Sequence, residues 1–311
     1  MPEVERVSVI LLNYHAYQDT TECLLSIKKA RKHGLAIQTI VVDVRNKEDV
    51  EDQDAQKLSK NFPEVTVLPS ENKGYTGGNN VGIQHALEHT NPDYILLLNN
   101  DTRIHPNLFE ELIKTAHTHK NQGFFVPKIY FEKGKEFHSG DYTEEERGKV
   151  LWYAGGFVDW KNMYAWHRGV DEVDHGQFDT EETTQFATGC CLLIPVQTLR
   201  SVGLFNKKYF LYLEDLELSQ RLHKKGGKIW YVPTAVVWHK NAGSTGGSGS
   251  QTHVYYSTRN RLLFGMTYAP LRVKFALLKE AMGKLFHGKS EEKEAVRDFL
   301  IGKFGARTHT I

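Results

Sequence analysis

Residues 94–102 read YILLLNNDT, a short apolar run that ends in four polar residues. A run this apolar suits a strand that is covered on both faces of a sheet, and helical crossovers between parallel strands supply that cover. The same succession of an apolar run and an amphipathic stretch precedes residue 94 three times. The alternation predicts an α/β fold with a mostly parallel sheet flanked by helices, in which ligands bind at the carboxyl ends of the strands.

The predicted elements alternate through the first part of the chain. Strands are predicted at residues 7–12, 37–44, 65–68 and 94–98, and helices at residues 20–32, 54–61 and 80–89. After residue 126 the alternation stops, and the polar, Gly- and aromatic-rich residues 128–182 predict extended segments and long loops. The later predictions are a strand at 186–194, a helix at 214–225, short strands at 228–232 and 235–239, a flexible loop at 243–250 and mainly helix from 257.

Composition excludes several classes of protein. The chain has 311 residues, with 39 Lys and Arg against 38 Asp and Glu, and this balance gives no electrostatic basis for binding nucleic acid. Three cysteines without a Cys-x-x-Cys pair argue against a disulfide framework or a zinc site and favour a reducing compartment. Because the chain has no signal-peptide pattern and no apolar run of about 18 residues, we expect a cytoplasmic protein.

Basic charge is concentrated in residues 259–311. This segment carries 11 Lys and Arg against 5 Asp and Glu, together with many apolar residues. A basic amphipathic helix can lie on an anionic membrane, which predicts a peripheral position on the inner face of the plasma membrane. The alternative is a helix that packs on the rest of the protein and exposes its Lys and Arg side chains. Long helical tails of this kind also allow a homodimer.

Asp101 follows the strand at 94–98 and is the first candidate for a chemical role. A carboxylate at that edge can bind a divalent cation, which neutralises a diphosphate leaving group. His239, at the end of a predicted strand, is a candidate second ligand. The alternatives are a turn or helix-capping role for Asp101 and a structural role for His239.

Residues 72–82 read NKGYTGGNNVG between a predicted strand and a predicted helix. The glycines permit close approach of the backbone to a ligand, and Asn79 and Asn80 offer amides that hydrogen-bond polar groups. The segment matches neither the Walker loop nor the Gly-x-Gly-x-x-Gly dinucleotide pattern. An ordinary Gly- and Asn-rich turn is the alternative.

Residues 212–218 read YLEDLEL and place three carboxylates at the start of a helix. The helix dipole favours anions at that position, so the cluster can be purely structural. If the helix end faces the ligand-binding edge of the sheet, one of these carboxylates can instead act as the general base for an attacking hydroxyl.

Taken in order, these segments resemble family 2 glycosyltransferases, in particular the bacterial rhamnosyltransferase-like branch that builds surface polysaccharides. The resemblance is carried by VSVILLNY at 7–14, VVD at 41–43, ENKGYTGGNNVG at 71–82, LLLNNDT at 96–102, ATGCCLLI at 187–194, FLYLEDLELSQRL at 210–222, WHK at 238–240 and YYSTRNRL at 255–262. Together these motifs span nearly the whole chain.

The resemblance implies a glycosyltransferase A fold with a Rossmann-like sheet and a C-terminal helical extension. It implies a catalytic domain at residues 1–258, divided into a nucleotide-sugar-binding half at 1–126 and an acceptor-side half at 127–258, and then a basic amphipathic tail at 259–311. The implied reaction is inverting transfer of a sugar, with rhamnose as the first choice, from a nucleoside-diphosphate sugar to a glycan or polyprenyl-linked glycan. The implied cofactor is a divalent cation, Mg²⁺ or Mn²⁺.

The resemblance also assigns roles by position. Asp215 matches the base that deprotonates the acceptor hydroxyl, and Glu214 matches its neighbour on the acceptor side. Asp101 matches the last carboxylate of the Asp-x-Asp metal motif, and His239 matches a histidine near the metal. Asp43 matches the acid that contacts the nucleotide base or ribose. The complete set of implied donor-binding residues is Asn13, Asp43, Asn72, Gly74, Gly77, Asn79, Asn80, Asn99, Asn100 and Arg259, the last of them near the diphosphate.

Two departures from the family pattern bear on the site. Asn99 replaces the first Asp of Asp-x-Asp, and residues 44–47 read VRNK where an Asn- and Ser/Thr-rich turn is usual. One rival interpretation is a sugar nucleotidyltransferase, although residues 13–17 lack the Gly-rich, basic signature expected after its first strand. The other rival is a non-catalytic module that binds carbohydrate or a lipid surface.

Overall fold

The computed structural model describes residues 4–49, 51–241 and 249–307. The strands are β1 (Glu5–Asn13), β2 (Leu35–Arg45), β3 (Thr66–Glu71), β4 (Tyr94–Leu98), β5 (Thr102–Ile104), β6 (Phe124–Phe131), β7 (Leu151–Tyr153), β8 (Gly156–Asp159), β9 (Tyr164–His167), β10 (Glu182–Thr184), β11 (Cys191–Pro195) and β12 (Ile229–His239). The helices are α1 (Tyr17–Lys29), α2 (Asp54–Asn61), α3 (Gly74–His89), α4 (Leu108–Thr118), α5 (Val196–Val202), α6 (Glu214–Lys224), α7 (Gln251–Tyr268), α8 (Leu271–His287) and α9 (Ser290–Leu300).

Ten of these strands form one mixed sheet. Its central order is β10-β12-β6-β11-β4-β1-β2-β3, while β5 pairs with β12 and β7 pairs with β6. Strands β4, β1, β2 and β3 are parallel, as the sequence predicts. Strand β11 runs antiparallel between β4 and β6, and β8 and β9 form a separate hairpin. The sheet with its flanking helices confirms the predicted α/β class.

The apolar runs that predict the parallel strands form the core. Every residue of β4 is buried, as are the central residues of β1 and β2. Helix α3 packs across β1 and β2, and a Cβ atom at Gly82 would lie 2.5 Å from Ile10 Cγ2. A glycine at position 82 therefore allows the close approach of this helix to the sheet.

The structure differs from the sequence prediction in several elements, and the strand predicted at 186–194 is β11, which begins only at Cys191. Helix α3 begins at Gly74 and not near residue 80, so most of the Gly- and Asn-rich stretch is helical. The sequence predicts neither β5 nor α4. The two short strands predicted at 228–232 and 235–239 are the single strand β12, whose pairing with β6 is irregular between Val232 and Val236. Pro233 lies at this irregularity and has no N–H to donate to the ladder.

Helices α7, α8 and α9 form the predicted C-terminal extension. The boundary predicted between residues 258 and 259 falls inside α7, because the buried side of α7 continues across it from Tyr255 to Leu262. At the start of α7, Ser250 Oγ accepts a hydrogen bond of 3.2 Å from the His253 N–H. Residues 243–248 of the predicted flexible loop lie outside the described residues.

Two findings bear on the expectations from composition. Cys23, Cys190 and Cys191 are all buried, and each is a free thiol. Within the described ranges, no helix combines the length and the hydrophobicity needed to cross a bilayer.

Candidate active site

A network of polar side chains connects the carboxyl ends of β1, β2 and β4. The Asn13 side-chain amide donates hydrogen bonds to Asp43 Oδ1 at 2.6 Å and to Asp54 Oδ2 at 3.1 Å. Asn13 Oδ1 accepts a hydrogen bond of 2.7 Å from the Thr20 hydroxyl, which itself accepts one of 2.8 Å from Asn100 Nδ2. The structure thus brings Asn13, Asp43 and Asn100 together at the edge of the sheet where the sequence predicts them.

Asp43 is fully buried in this network and is paired with a cation that follows it in the chain. Arg45 Nε donates a hydrogen bond of 2.6 Å to Asp43 Oδ2. Burial raises the pKa of Asp43 above its ordinary value, and the hydrogen bonds from Asn13 and Arg45 partly offset that effect. Arg45 Nη2 is buried without a hydrogen-bond partner. Asn72 lies nearby, where its side-chain amide donates a hydrogen bond of 2.9 Å to Asn46 Oδ1.

A cleft of about 1010 Å³ opens beside this network. Its lining residues are Tyr14, His15, Ala16, Tyr17, Gln18, Asp19, Glu48, Asp49, Glu51, Asp52 and Asp54. The acidic lining disfavours phosphate groups but suits hydroxyl groups, which donate hydrogen bonds to carboxylates. Asp101 and Asp215, the two carboxylates expected to carry the chemistry, are not among these lining residues.

Asp101 and His239 contact each other, as the sequence predicts. Asp101 Oδ1 and His239 Nε2 are 3.0 Å apart, because β5 pairs with β12 and sets Thr102 opposite His239. The Asp101 main-chain oxygen also accepts a hydrogen bond of 2.9 Å from the N–H of Lys240. His239 is buried with its ring against that of Trp152, and its Nδ1 atom has no hydrogen-bond partner.

Asp101 and His239 supply only part of the ligand set that a divalent cation needs. The described residues contain no group of three or more His, Cys, Asp and Glu side chains that could hold a metal ion. Mg²⁺ is often bound by one or two carboxylates, with substrate phosphates and water completing its coordination. Asp101, with His239 beside it, satisfies that pattern, and an ion there would depend on a diphosphate for further ligands.

Glu214 and Asp215 begin α6, and their carboxyl groups are held in different ways. Asp215 is half-buried, with Oδ2 accepting a hydrogen bond of 3.1 Å from the Gly189 N–H and Oδ1 accepting one of 2.7 Å from the Leu216 N–H. Glu214 is buried, and its Oε2 atom has no hydrogen-bond partner. Burial raises the pKa of both carboxyl groups, and the adjacent Asp215 charge raises the pKa of Glu214 further. An ionised carboxylate with a raised pKa is a stronger proton acceptor than an ordinary one.

Gly189 and Cys190 join the segments that carry the two key carboxylates. The Gly189 N–H donates to Asp215, and the Gly189 oxygen accepts a hydrogen bond of 2.6 Å from the Tyr75 hydroxyl. The Cys190 oxygen accepts a hydrogen bond of 2.8 Å from the N–H of Asn99, next to β4. The ends of α3, α6 and β4 therefore meet at one short segment.

Comparison with known protein families identifies the chain. Residues 3–263 match the model of the family described as "Glycosyltransferase like family 2". The chain belongs to this family. The match covers the sheet, the polar network, both carboxylate sites and most of α7, and it makes the protein a glycosyltransferase.

Curated relatives of this glycosyltransferase have related names. It is 24% identical over 261 residues to the low-salt glycan biosynthesis hexosyltransferase Agl10 of Haloferax volcanii, with 84% of this chain and 75% of that protein covered. It is 27% identical to the N-acetylglucosaminyl-diphospho-decaprenol L-rhamnosyltransferase of Mycobacterium tuberculosis, with 70% of this chain and 74% of that protein covered. The mycobacterial relative supports the resemblance to rhamnosyltransferases that the sequence motifs indicate, and the haloarchaeal one is named more broadly as a hexosyltransferase.

Solved structures support the glycosyltransferase A fold. The crystal structure of GalNAc-T7 with UDP, GalNAc and Mn²⁺ aligns with a TM-score of 0.65 at 16% identity over 96% of this chain. The chain spans about half of that protein, since the alignment covers 55% of it. The mannosyltransferase PcManGT from Pyrobaculum calidifontis, in complex with GDP-Man and Mn²⁺, aligns with a TM-score of 0.52 at 12% identity, covering 96% of this chain and 88% of that one.

In this glycosyltransferase the side chains of Asn79 and Asn80 are buried. Asn80 is buried and exchanges two hydrogen bonds of 2.9 Å with the main chain of Phe205. Asn79 is also buried, and its Nδ2 atom donates to the Tyr75 oxygen within α3. Because α3 begins earlier than expected, both side chains are buried within the protein, and their role in donor binding stays a prediction.

The two predicted glycines, Gly74 and Gly77, also serve packing in the structure. Gly74 has a φ of 69°, and a Cβ atom there would lie 2.3 Å from the Phe210 main-chain oxygen. A Cβ atom at Gly77 would lie 2.2 Å from Lys73 Cβ. Both positions therefore exclude larger residues at the start of α3 for reasons internal to the protein.

Arg259 lies apart from the polar network. Its side chain is fully buried, and its guanidinium donates hydrogen bonds to the main-chain oxygens of Lys208, Tyr209 and Gly305. The structure thus uses Arg259 to hold α7 to two other segments, and it does not bring the side chain to the site with Asp101. In this structure the hydrogen-bond donors of Arg259 are used inside the protein, and its contact with a diphosphate stays a prediction.

Four residues at the site were not among the sequence candidates. Arg45 lies within the VRNK stretch at residues 44–47, and the departure of this stretch from the family pattern could have identified Arg45 from the sequence. Gly189 lies within the quoted motif ATGCCLLI, but its hydrogen bond to Asp215 depends on long-range packing. Tyr75 lies within the quoted motif at 72–82, but its contact with Gly189, like the contact of Thr20 with Asn13, depends on the fold.

Proposed function

We propose that this glycosyltransferase transfers a sugar, with rhamnose as the first assignment, from a nucleoside-diphosphate sugar to a hydroxyl of a polyprenyl-linked glycan. The single observation that carries the proposal is the meeting of the Asp101 and Asp215 segments at Gly189 and Cys190. This arrangement supports a site in which Asp215 accepts a proton and Asp101 binds a cation. The name of the mycobacterial rhamnosyltransferase relative supports the choice of sugar.

Asp215 acts as the general base in this proposal. Its carboxylate accepts the proton of the acceptor hydroxyl as that oxygen attacks the anomeric carbon of the donor. One displacement of this kind inverts the configuration at that carbon. The N–H groups of Gly189 and Leu216 orient the carboxylate, and its raised pKa favours proton transfer near neutral pH.

In this proposal the polar network at β1 and β2 binds the base or ribose of the donor nucleotide. Asp43 accepts hydrogen bonds, and Arg45 and Asn72 offer donors at the same edge of the sheet. Asp101 and His239 would hold the divalent cation. When it is bound, the cation neutralises the charge that grows on the departing diphosphate.

The acceptor is the second part of the proposal. The mycobacterial relative is named for a lipid-diphosphate-linked sugar, and the haloarchaeal relative is named for glycan biosynthesis. We assign this chain to the same class of acceptor, a glycan carried on a polyprenyl diphosphate, as used in cell-surface polysaccharide synthesis.

A nucleotide panel tests the donor site. We expect deoxythymidine diphosphate to raise the unfolding temperature more in the presence of Mn²⁺ or Mg²⁺ than without it, because a ligand that binds the native state stabilises it. Asp101→Ala should lose the metal-dependent part of this shift, while Asp141→Ala, at an exposed position, should keep it.

Transfer of radiolabelled rhamnose from its deoxythymidine diphosphate to a polyprenyl-diphosphate-linked sugar then tests the reaction. The absence of both nucleotide binding and transfer would reject the proposal.

A further inference from the structure

Helix α8 exposes a continuous apolar stripe. Leu271, Phe275, Met282 and Phe286 are 74%, 72%, 48% and 69% exposed. Their spacing of four, seven and four residues places them on one side of the helix, with the half-buried Leu278 between them. Contiguous exposed apolar surface of this kind marks an interaction site, whereas single exposed apolar residues do not.

The opposite side of α8 holds the helix to the protein. Leu277 and Ala281 are buried, and a Cβ atom at Gly265 of α7 would lie 2.2 Å from Leu277 Cδ1. Glu280 accepts a hydrogen bond of 2.7 Å from Arg261 of α7, and Lys284 donates one of 2.7 Å to Glu292 of α9. The apolar stripe is therefore a second face of the helix, separate from the one that packs.

The charges on α8 are complementary to an anionic surface. At about 100° per residue, Arg272 and Lys279 lie along one side of the stripe and Lys274 along the other. Glu280 is the one acidic residue of α8, and it is paired with Arg261 and Lys284 on the packed side. The exposed side of α8 thus combines large apolar residues with basic side chains and no acidic one.

We propose that α8 docks this protein on the surface of an anionic phospholipid bilayer, with the helix lying in the plane of the membrane. Leu271, Phe275, Met282 and Phe286 enter the boundary between headgroups and acyl chains, and the flanking cations contact lipid phosphates. A second copy of the chain would fit this surface less well. Two copies that met through the stripe would bring like charges together, which opposes association.

The proposal goes beyond sugar transfer, and its test needs neither a donor nor an acceptor. The full chain is sedimented with vesicles of phosphatidylcholine alone or of phosphatidylcholine mixed equally with phosphatidylglycerol. We expect binding to the mixed vesicles at low salt, weaker binding at high salt, and weak binding to the neutral vesicles.

A triple variant tests the role of the stripe. Phe275→Gln/Met282→Gln/Phe286→Gln should lower the partition coefficient for mixed vesicles about tenfold or more, since each substitution removes apolar area from the bilayer contact. The unfolding temperature should stay close to that of the parent protein, because all three side chains are exposed. Arg272→Gln/Lys279→Gln should reduce the dependence of binding on salt.

A matched control removes apolar area elsewhere. Leu25→Gln/Phe137→Gln changes two exposed residues on α1 and on the segment after β6, and it should leave vesicle binding unchanged. Three results would overturn the proposal. These are no binding of the parent protein to mixed vesicles at low salt, equal binding of the triple variant, or a vesicle-free dimer of the parent protein that the triple variant converts to monomer.

Discussion

The carboxyl groups of Asp215 and Glu214 are adjacent in sequence but differ in what their surroundings provide. Asp215 receives two main-chain hydrogen bonds and is half-buried, whereas Glu214 is buried with one oxygen unpaired. Hydrogen bonds stabilise the ionised form of Asp215, and burial destabilises the ionised form of Glu214. This difference supports the proposal that Asp215 is the proton acceptor, and it leaves Glu214 as a buried neighbour with a raised pKa.

Asp215→Asn should abolish transfer while donor binding survives. The amide is nearly isosteric but cannot accept the proton of the acceptor hydroxyl, so we expect kcat to fall by about 10² to 10⁴-fold. The measurement is single-turnover transfer together with the nucleotide-induced rise in unfolding temperature. Asp141→Asn, at an exposed position, is the control and should match the parent protein. Unimpaired transfer by purified Asp215→Asn would remove Asp215 from the role of base.

Glu214→Gln should stabilise the protein at high pH. Because burial raises the pKa of Glu214 above its ordinary value of 4.5, the native state holds a proton that the unfolded state releases. The free energy of unfolding therefore falls as pH rises above that ordinary value and continues to fall until the raised pKa is passed. The Gln variant lacks this loss, so its unfolding temperature should exceed that of the parent at pH 8 and approach it at pH 5.

The unfolding temperature reports the size of this effect. Each kcal/mol that Glu214→Gln adds to the free energy of unfolding should raise the unfolding temperature by about 2–4 °C for a chain of this size. Glu145→Gln, at an exposed carboxylate, serves as the control and should show no such dependence on pH. An equal unfolding temperature of Glu214→Gln and the parent at both pH values would show that Glu214 is not a buried, destabilised carboxyl group.

At the scale of elements, the segment at Gly189 and Cys190 sets the distance between the ends of α3, α6 and β4. Strand β11 starts at Cys191, opposite the last residue of β4, so the preceding residues necessarily lie at the ligand-binding edge. A Cβ atom at Gly189 would lie 2.6 Å from the Tyr75 hydroxyl oxygen. The close contact explains why this position excludes a larger residue.

Gly189→Ala should impair both stability and transfer. We expect a loss of about 1–3 kcal/mol in the free energy of unfolding, because the new methyl group forces Tyr75 or the segment to move. Tyr75→Phe removes the hydroxyl that the methyl group meets, so Gly189→Ala/Tyr75→Phe should be more stable than the sum of the single effects predicts. Urea unfolding of the four proteins measures this coupling.

The control for this cycle is Gly140→Ala, because a Cβ atom at Gly140 meets nothing within 4 Å. It should leave stability and transfer near the values of the parent protein. Additive effects of Gly189→Ala and Tyr75→Phe would contradict the proposed contact between these two residues.

Helix α3 illustrates how an element can be predicted with the wrong start. Its first turns contain Gly74, Gly77 and Gly78, and glycine lowers helix propensity by about 1 kcal/mol relative to alanine. The same glycines let α3 pack closely on the sheet and on the segment near Phe210. Tertiary packing therefore outweighs local propensity at this helix, and no pattern within the segment reveals it.

At the scale of the whole molecule, α7 braces the residues that precede Asp215. Asn260 Nδ2 donates hydrogen bonds to the main-chain oxygens of Tyr209, Leu211 and Tyr212, at 2.7, 2.7 and 2.9 Å. Tyr212 and Leu213 have φ values of 69° and 67°, a conformation that non-glycine residues adopt at a cost. Through Asn260, the C-terminal extension thus holds the segment that leads into the candidate active site.

Asn260→Ala should lower kcat with little change in the KM for the donor. Loss of its hydrogen bonds frees the strained segment before α6, and displacement of Asp215 by about 1 Å can cost up to about a hundredfold in rate. Steady-state kinetics with the donor varied separates this effect from a change in nucleotide binding. Asn162→Ala, at an exposed position of the β8–β9 hairpin, should retain parent kinetics. A raised donor KM with unchanged kcat would argue against a positioning role for Asn260.

The sequence alone determined the parallel strands and the edge of the sheet at which the candidate site lies. The buried runs of β1, β2 and β4 are visible as apolar stretches, and Asp101 follows β4 directly. The contact between Asp101 and His239 was also predictable from the ends of two strands. Local patterns suffice for these features because the burial of a strand and the location of its carboxyl end both depend on residues that are consecutive in the sequence.

Only the tertiary structure decided which polar residues face the site and which serve the interior. Asn80 and Arg259 were expected to bind the donor, yet their hydrogen bonds go to main-chain groups of Phe205, Lys208 and other distant residues. Gly189 and Asn260 carried no expected role, yet they hold Asp215 and the segment before it. An Asn or Arg side chain bonds equally well to a ligand or to a carbonyl, so its role depends on which partner the fold brings within reach.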